Sequence, residues 1–403
     1  MSEGAQDRNF SVYVHVPFCS VRCGYCDFNT YTATELGGGA SQHNYAATAL
    51  HEIGFARSVM ERAELPSRPV STVFFGGGTP TMLKADDLVS ILTGIKDAWG
   101  LKPGAEVTTE ANPDSVTPQY LETLAQAGFT RVSFGMQSAV PHVLATLERT
   151  HDPRRIPDVV QWAKAAGLEV SLDLIYGTPG ESLEDWKTSV DSVLSLPVDH
   201  VSAYALVVEP GTKMAAQVKR GELELPNEDD QAAKYEYADQ KLTECGFEWY
   251  EVSNWAKRVD GTLKACVHNL SYWRSDDWWG IGPGAHSYMG AGEKTAAKDG
   301  FSGVRWWNVK HPIRYAALLE KGHSPAAGRE RLTPEESHVE RIMLGIRLAE
   351  GLPVNVLSEA ARVRVAQHIA HGLIEPRPAL EGLLKLTRKG RLLADTVIRD
   401  ITD

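Results

Sequence analysis

Cys19-Ser20-Val21-Arg22-Cys23-Gly24-Tyr25-Cys26 carries three thiols within eight residues, spaced C-x3-C-x2-C. Thiolate is a soft ligand, and soft ligands select iron–sulfur clusters, zinc or copper(I). A ferredoxin-type cubane takes four cysteines, one per iron. A run that supplies three leaves one iron open to a substrate or cofactor. The competing reading is a Cys3His zinc site, with His15 or a more distant histidine as the fourth ligand. The spacing by itself leaves both open.

The chain around that loop sets the fold. Val12 to Val16 alternate and are rich in β-formers, so a strand leads into the cysteines. Helix and strand patterns then take turns: helix 44–63, strand 71–75, helix 86–99 stopping at Gly100, strand 106–110, and a helix from Pro118 to Gly128 with Thr117 as its N-cap. Strand 131–134, helix 155–166, strand 169–176, helix 183–196 and strand 200–206 follow. Strict alternation predicts an α/β fold with a parallel sheet and right-handed crossovers. The polar and glycine-rich stretches come after strands, not after helices: the cysteines, Gly76-Gly77-Gly78-Thr79-Pro80, Gly135-Met136-Gln137-Ser138 and Gly177-Thr178-Pro179-Gly180. In α/β barrels the chemistry sits at that carboxyl-end face. The cysteines, the triple glycine, Glu110, Gln137 and Asp173 are therefore expected at one mouth.

Composition narrows the class. A chain of 403 residues suits two or three domains, or one barrel with an appendage. A net charge of −11 argues against a nucleic-acid partner and supplies no polybasic membrane anchor. The polar start, Met1 to Asp7, lacks a signal-peptide core, and no apolar run approaches a membrane span. Five cysteines, three of them clustered, read as a reducing, cytoplasmic protein with a metal site and not as a disulfide framework.

Three segments are expected: a core at 10–245, a Trp-rich connecting region at 246–329 and a C-terminal module at 330–403. Seven of the ten tryptophans lie between Trp249 and Trp307. Such rings suit a flat hydrophobic ligand or an interface, and equally the packing of a small second core. In the last segment Thr333-Pro334-Glu335-Glu336 reads as a capping box. Helices to about Glu350, over 355–371 and over 387–399, with a short strand at 383–386, resemble a winged-helix module. Gly37-Gly38-Gly39 reads as a loop tip.

The cysteine spacing with Tyr25 before the last thiol, followed by the triple glycine, resembles the radical S-adenosylmethionine (SAM) family. The resemblance implies a partial (β/α)6 barrel, a 4Fe–4S cluster on Cys19, Cys23 and Cys26, and SAM chelating the open iron. It places Tyr13 and Tyr25 beside cluster and SAM. Gly77, Gly78 and Thr79 match the stretch that meets the SAM amino group, and Glu110 the acid that contacts its polar groups. Gln137, Arg149 and Asp173 fall where the coproporphyrinogen-dehydrogenase branch has further SAM-site residues. Ala205 and His286 resemble that branch's second SAM site.

Motif order, Ser133-Phe134-Gly135-Met136-Gln137-Ser138 and the C-terminal module narrow the resemblance to oxygen-independent coproporphyrinogen III dehydrogenase, a radical SAM oxidative decarboxylase. Two departures matter. Phe28 stands where that enzyme has a fourth cysteine, and its longer N-terminal segment has no counterpart here. Both point to the sister group of heme chaperones, whose motif H-N-x-x-Y-W appears as His268-Asn269-Leu270-Ser271-Tyr272-Trp273. That group binds heme and delivers it to apo-hemoproteins, with membrane-associated respiratory enzymes among the acceptors the resemblance suggests; it leaves room for a homodimer. His268 is the expected axial heme ligand, in an accessible and reversible site, with Cys266 as the competing thiolate.

Overall fold

Alternation along the first strand, β1 (Phe10–Val16), splits its side chains between two chemistries. Val12, Val14 and Val16 are buried in the main apolar core, whereas Ser11, Tyr13 and His15 share the opposite face. The same division recurs strand after strand in this computed structural model, which describes residues 5, 8–32, 41–292, 298 and 300–402. The Gly37–Gly39 tip lies outside the described residues.

After β1 come α1 (Gln42–Arg62), β2 (Val70–Gly77), α2 (Ala85–Trp99), β3 (Leu101–Ala111), α3 (Pro118–Ala127) and β4 (Arg131–Gln137). Then follow α4 (Pro141–Thr146), α5 (Ile156–Ala165), β5 (Glu169–Tyr176), α6 (Leu183–Leu194) and β6 (His200–Ala205). The expected caps are in place. Thr117 Oγ1 accepts from Tyr120 N–H, Gly128 ends α3 in the left-handed region, and Ser182 and Asp185 close a capping box on α6. β1 to β6 pair in chain order, all parallel. Val73, Phe75, Val107, Val132, Phe134, Val170 and Leu172 pack against Leu88, Ile91, Leu121, Val159 and Val190 of the helices. Each such side chain contributes about 1.5–3 kcal/mol when fully buried. The polar partners Thr72, Thr108, Ser133, Ser171 and Ser202 line the other, lumenal face.

The second half of the chain builds α7 (Lys213–Lys219), α8 (Glu228–Glu244), β7 (Phe247–Glu251), β8 (Asn254–Val259), β9 (Thr262–Leu263), α9 (Val267–Trp273), β10 (Asp277–Ile281), β11 (His286–Gly290), β12 (Gly303–Asn308), α10 (Pro312–Glu320) and β13 (Ala326–Leu332). β1 does not close on β6. Instead β10 lies parallel to β1, with β11, β12 and β13 beyond it, and β8 runs antiparallel to β6 with β7 outside. The barrel is partial, and residues 246–329, expected as a connecting region, extend its sheet on both sides. Asp277 holds the β1–β10 junction: it is buried, pairs with Arg8 (3.0 Å) and Arg68, and accepts from Gly290 N–H at 2.7 Å.

The remaining residues form α11 (Pro334–Gly345), β14 (Leu352–Pro353), α12 (Glu359–Ala370), α13 (Pro376–Leu380), β15 (Leu383–Leu384), α14 (Arg388–Leu392) and α15 (Ala394–Thr402) around a separate apolar core of Ile342, Ile346, Val365, Ile374 and Val397. β14 and β15 pair antiparallel. Thr333 makes its capping box. The helix expected over 387–399 is broken at Leu393, which leaves the helical region. Among the described residues no helix is long and apolar enough to cross a membrane.

Candidate functional site

The carboxyl ends of β1 to β6 surround a cavity of about 450 Å³. Cys19, Cys23, Tyr25, Cys26, Gly77, Gly78, Thr79, Glu110, Gln137, Arg149, Asp173 and Ala205 all line it. Residues spread over 187 positions of sequence meet there because each parallel strand ends at the same face.

Backbone hydrogen bonds hold the cysteine loop. Cys19 N–H donates to Tyr31 O at 3.0 Å, and Met214 N–H, at the start of α7, donates to Gly24 O at 2.8 Å. Gly78 N–H and Thr79 N–H donate to Val16 O and Phe18 O, at 2.8 and 2.7 Å. With those donors engaged, what the stretch can offer a ligand is carbonyl oxygen, which suits an ammonium. The glycines have a second reason besides ligand approach. A Cβ on Gly77, whose φ is 109°, would stand 2.5 Å from the His15 ring; one on Gly78 would stand 2.5 Å from Phe18 O and 3.0 Å from Cys19 Sγ. This is a cradle that a side chain would fill.

The thiols fit a metal cluster by their surroundings. Burial pushes the Cys19 thiol up to about 11 and raises Cys26 as well. Few donors oppose that: Thr79 Oγ1 stands 3.9 Å from Cys19 Sγ, and Arg149 Nη1 3.6 Å from Cys23 Sγ. Three half-buried thiols facing one cavity call for a cation. The Cys3His zinc alternative loses its fourth ligand. His15 is held at Nδ1 by Tyr13 Oη and at Nε2 by Asn29 O, both at 3.0 Å, and among the described residues no histidine lines the cavity.

Carboxylates make the opposite wall. Glu110 is desolvated, faces Asp173, and accepts from Gly77 N–H at 3.2 Å; burial first, then Asp173, lift it to about 8. Asp173 is raised chiefly by burial, but Ser133 Oγ donates to both its oxygens (3.0 and 2.9 Å) and Ser202 adds another donor. Arg149 spans the site, donating through Nη2 to Asn112 Oδ1 and, at 3.0 Å, to Gly135 O. Gln137 holds φ at 62°, an uncommon conformation for a side-chain-bearing residue, at a bulge in the β4–β5 pairing. Sequence reasoning missed Asn112, Ser133 and Ser202 as partners of Arg149 and Asp173. Asn112 follows the end of β3, where the strand-end rule applies.

Three expected residues lie elsewhere. Tyr13 stacks on Phe74 in the lumen beneath the cavity, with ring centroids 6.3 Å apart. His286 is exposed on β11 and stacks on Trp307, so it is not brought to Ala205. His268 is on α9, inside the lumen at the amino-terminal end of the strands, and is 1% exposed. Its Nδ1 meets Thr72 Oγ1 at 2.7 Å, and its Nε2 meets Tyr272 Oη at 2.8 Å. Burial lowers its pKa to about 3, so the ring is neutral. The accessible axial ligand expected from sequence is thus corrected: both nitrogens are committed, because α9 serves as the plug of an open barrel. The same plug hides Cys266, whose Sγ lies 3.6 Å from Glu106 Oε1. Glu106 also receives the N–H groups of Val267 and His268, at 3.0 and 2.9 Å, and Asn269 donates to Glu251 Oε1 at 3.0 Å.

Known proteins share this architecture. The Radical SAM superfamily matches residues 13–193. A heme chaperone HemW of Mycobacterium tuberculosis is 48% identical over 393 residues, covering 97% of this chain and 94% of its own. The heme chaperone HemW of Bacillus subtilis is 31% identical, covering 96% of this chain and 97% of its own. Among solved structures, coproporphyrinogen III oxidase (HemN) from Escherichia coli, a radical SAM enzyme, superimposes with a TM-score of 0.78 at 22% identity, covering 98% of this chain and 90% of its own; the likeness is one of fold. With its cysteine loop and glycine edge at one mouth, the chain belongs to the HemW family of the Radical SAM superfamily.

Proposed function

We propose that this protein is a heme chaperone that holds a 4Fe–4S cluster on Cys19, Cys23 and Cys26, binds SAM in the adjoining cavity, and carries heme to apo-hemoproteins. The observation that carries the cofactor part is the convergence of three half-buried thiols, a side-chain-free glycine edge and a desolvated Glu110 on one cavity. The names of the relatives support the heme part. When bound, cluster and SAM together supply one-electron chemistry. The chain's own residues bind and orient: Glu110 provides counter-charge to a cationic group, Asp173 accepts from hydroxyls, and Arg149 offers a guanidinium to a carboxylate.

Phe28 distinguishes this reading from a porphyrinogen decarboxylase. Its side chain, 56% exposed at the cavity edge, has no donor atom where the dehydrogenase has a fourth cysteine. Anaerobically reconstituted protein given SAM and a reductant is expected to bind hemin and to leave coproporphyrinogen III unconverted. Formation of protoporphyrinogen in that assay would overturn the chaperone as the sole role. His268 remains a proposed axial ligand for a rearranged state, in which Tyr272 releases Nε2.

Arg149 carries a further expectation. Hydrogen bonds to cluster sulfurs shift reduction potentials, and Asn112 and Gly135 O aim this guanidinium at Cys23. Arg149→Lys and Asn112→Ala are each expected to lower the potential of the reconstituted cluster, on the order of tens of millivolts. Potentiometry giving the wild-type value in both variants would detach Arg149 from the cluster.

A further inference from the structure

Three hydroxyls at the amino-terminal end of the lumen form a directed chain around His268. Ser271 Oγ donates to His268 O at 2.7 Å, and a carbonyl can only accept. Ser11 Oγ donates to Ser271 Oγ at 3.4 Å, and Thr72 Oγ1 donates to Ser11 Oγ at 2.9 Å. A hydroxyl has one proton to give. Thr72 has spent its proton on Ser11, so at 2.7 Å it accepts from His268 Nδ1. The ring is therefore the Nδ1–H tautomer, with its lone pair on Nε2.

The other side of the ring agrees. Tyr272 Oη lies 2.8 Å from Nε2 and has no further hydrogen-bond partner among the described residues. A lone pair on Nε2 takes the phenol proton. A proton on Nε2 would leave that phenol without an acceptor in a desolvated place. The ring plane is fixed as well: His268 stacks on Phe74, two residues after Thr72 on the same face of β2, with centroids 5.1 Å and planes 23° apart.

We infer that Thr72 is a positioning residue for the heme ligand: backed by Ser11 and Ser271, it holds the His268 proton on Nδ1 and so keeps Nε2 ready for iron once Tyr272 turns away. This rests on the heme-chaperone reading above, with His268 as axial ligand. Histidines that bind metals commonly donate their second N–H to a fixed acceptor, which sets the tautomer and raises the basicity of the ligating nitrogen. Here the acceptor stands in place before any heme arrives. Loading then takes a movement of Tyr272 and no proton transfer within the ring. Tyr272 is the group that moves, because it is half-buried while Ser11, Thr72, His268 and Ser271 are buried. It follows His268 by one turn of α9, so it covers Nε2 from the same helix face.

The test has a heme-free arm and a heme arm. In the first, full-length protein with isotope-labelled histidine is read by two-bond proton–nitrogen correlation NMR, which tells the two tautomers apart. The His268 signals are assigned by their loss in His268→Gln. Wild type is expected as Nδ1–H. Thr72→Val keeps the branched shape without the hydroxyl, and its ring should move the proton to Nε2 and donate to Tyr272. In the second arm hemin is titrated and followed at the Soret band. Thr72→Val should bind about 10–100-fold more weakly, the usual loss when a ligating histidine's acceptor is removed, whereas Thr72→Ser should stay within about threefold of wild type. Tyr272→Phe should bind about 2–10-fold more tightly, since hemin then displaces no hydrogen bond from Nε2. An Nε2–H ring in heme-free wild type overturns the inference whatever the variants do, and leaves the chaperone standing. Equal hemin affinity in wild type and Thr72→Val does the same. A wild-type protein that binds no hemin ends the chaperone reading, and the role of Thr72 with it.

Discussion

Cys19→Ala, Cys23→Ala and Cys26→Ala, made one at a time, are each expected to abolish stable cluster binding, while Cys245→Ala leaves it intact. Cys245 is exposed at the end of α8, outside the residues lining the cavity; Cys19, Cys23 and Cys26 all line it, and burial raises the Cys19 and Cys26 thiols. Iron and sulfide analysis of anaerobically reconstituted protein reads the result directly. Stoichiometric zinc without sulfide in the wild type would remove the cluster altogether. Gly78→Val belongs to the same experiment. From sequence it should cost SAM binding alone. The structure alters that expectation, since the new Cβ would press on Phe18 O and Cys19 Sγ. Gly78→Val should therefore lose SAM binding and also reduce cluster occupancy, and full occupancy with unchanged SAM affinity would take the glycine out of the site.

A second large effect is expected at Glu110. Its carboxyl, lifted to about 8 by burial and Asp173, must be ionised to oppose a cationic ligand group. SAM affinity should then rise by about tenfold per pH unit from pH 6 and level off near pH 8. Glu110→Gln should weaken SAM binding about 10–100-fold at pH 8, the scale of a charge-assisted hydrogen bond worth about 1.5–3 kcal/mol, and should flatten the pH dependence. Asp173 is the more easily ionised neighbour, because Ser133, Ser202 and Arg149 stabilise its charge. The sign reverses for the stability of the ligand-free protein. A folded pKa near 8 against an ordinary 4.5 means that the contribution is complete below about pH 4.5 and is lost as pH rises through about 8. Thermal midpoints should fall over that window. Glu110→Gln should make the fall shallower but not level, since burial also lifts Glu52 and Glu251 to about 7. Calorimetry showing equal SAM affinity and an equal pH slope in wild type and Glu110→Gln would end the assignment.

The parallel core was legible because its signals are local. Valine alternation, Thr117-Pro118 and the glycines after strands specify each element within a few residues, and parallel pairing then brings all the strand ends together. That is why the cysteines, Gly77, Gly78, Glu110, Gln137 and Asp173 were recoverable as one site before any contact was known, whereas Arg149, which follows α4, came only from the family resemblance. The short helices α4 and α7 were missed because six or seven residues give no full amphipathic repeat. The Trp-rich stretch was misread as a connector because its strands pair non-locally: Asp277 finds β1 through arginines more than 200 residues away in the chain.

His268 marks the boundary between the two kinds of information. Its residue type and its motif can be read in one dimension, and both suit a metal ligand. Whether it faces solvent depends on where α9 sits. The partial barrel leaves a polar lumen with Thr72 and Glu106 in need of partners, and α9 satisfies them with His268 Nδ1 and two backbone N–H groups. A buried polar group left unpaired costs about 1–3 kcal/mol, so desolvation commits the histidine to the plug. The chain order dictated the barrel, the cysteine loop and the family. The burial of the motif followed from which side chains the folded lumen required.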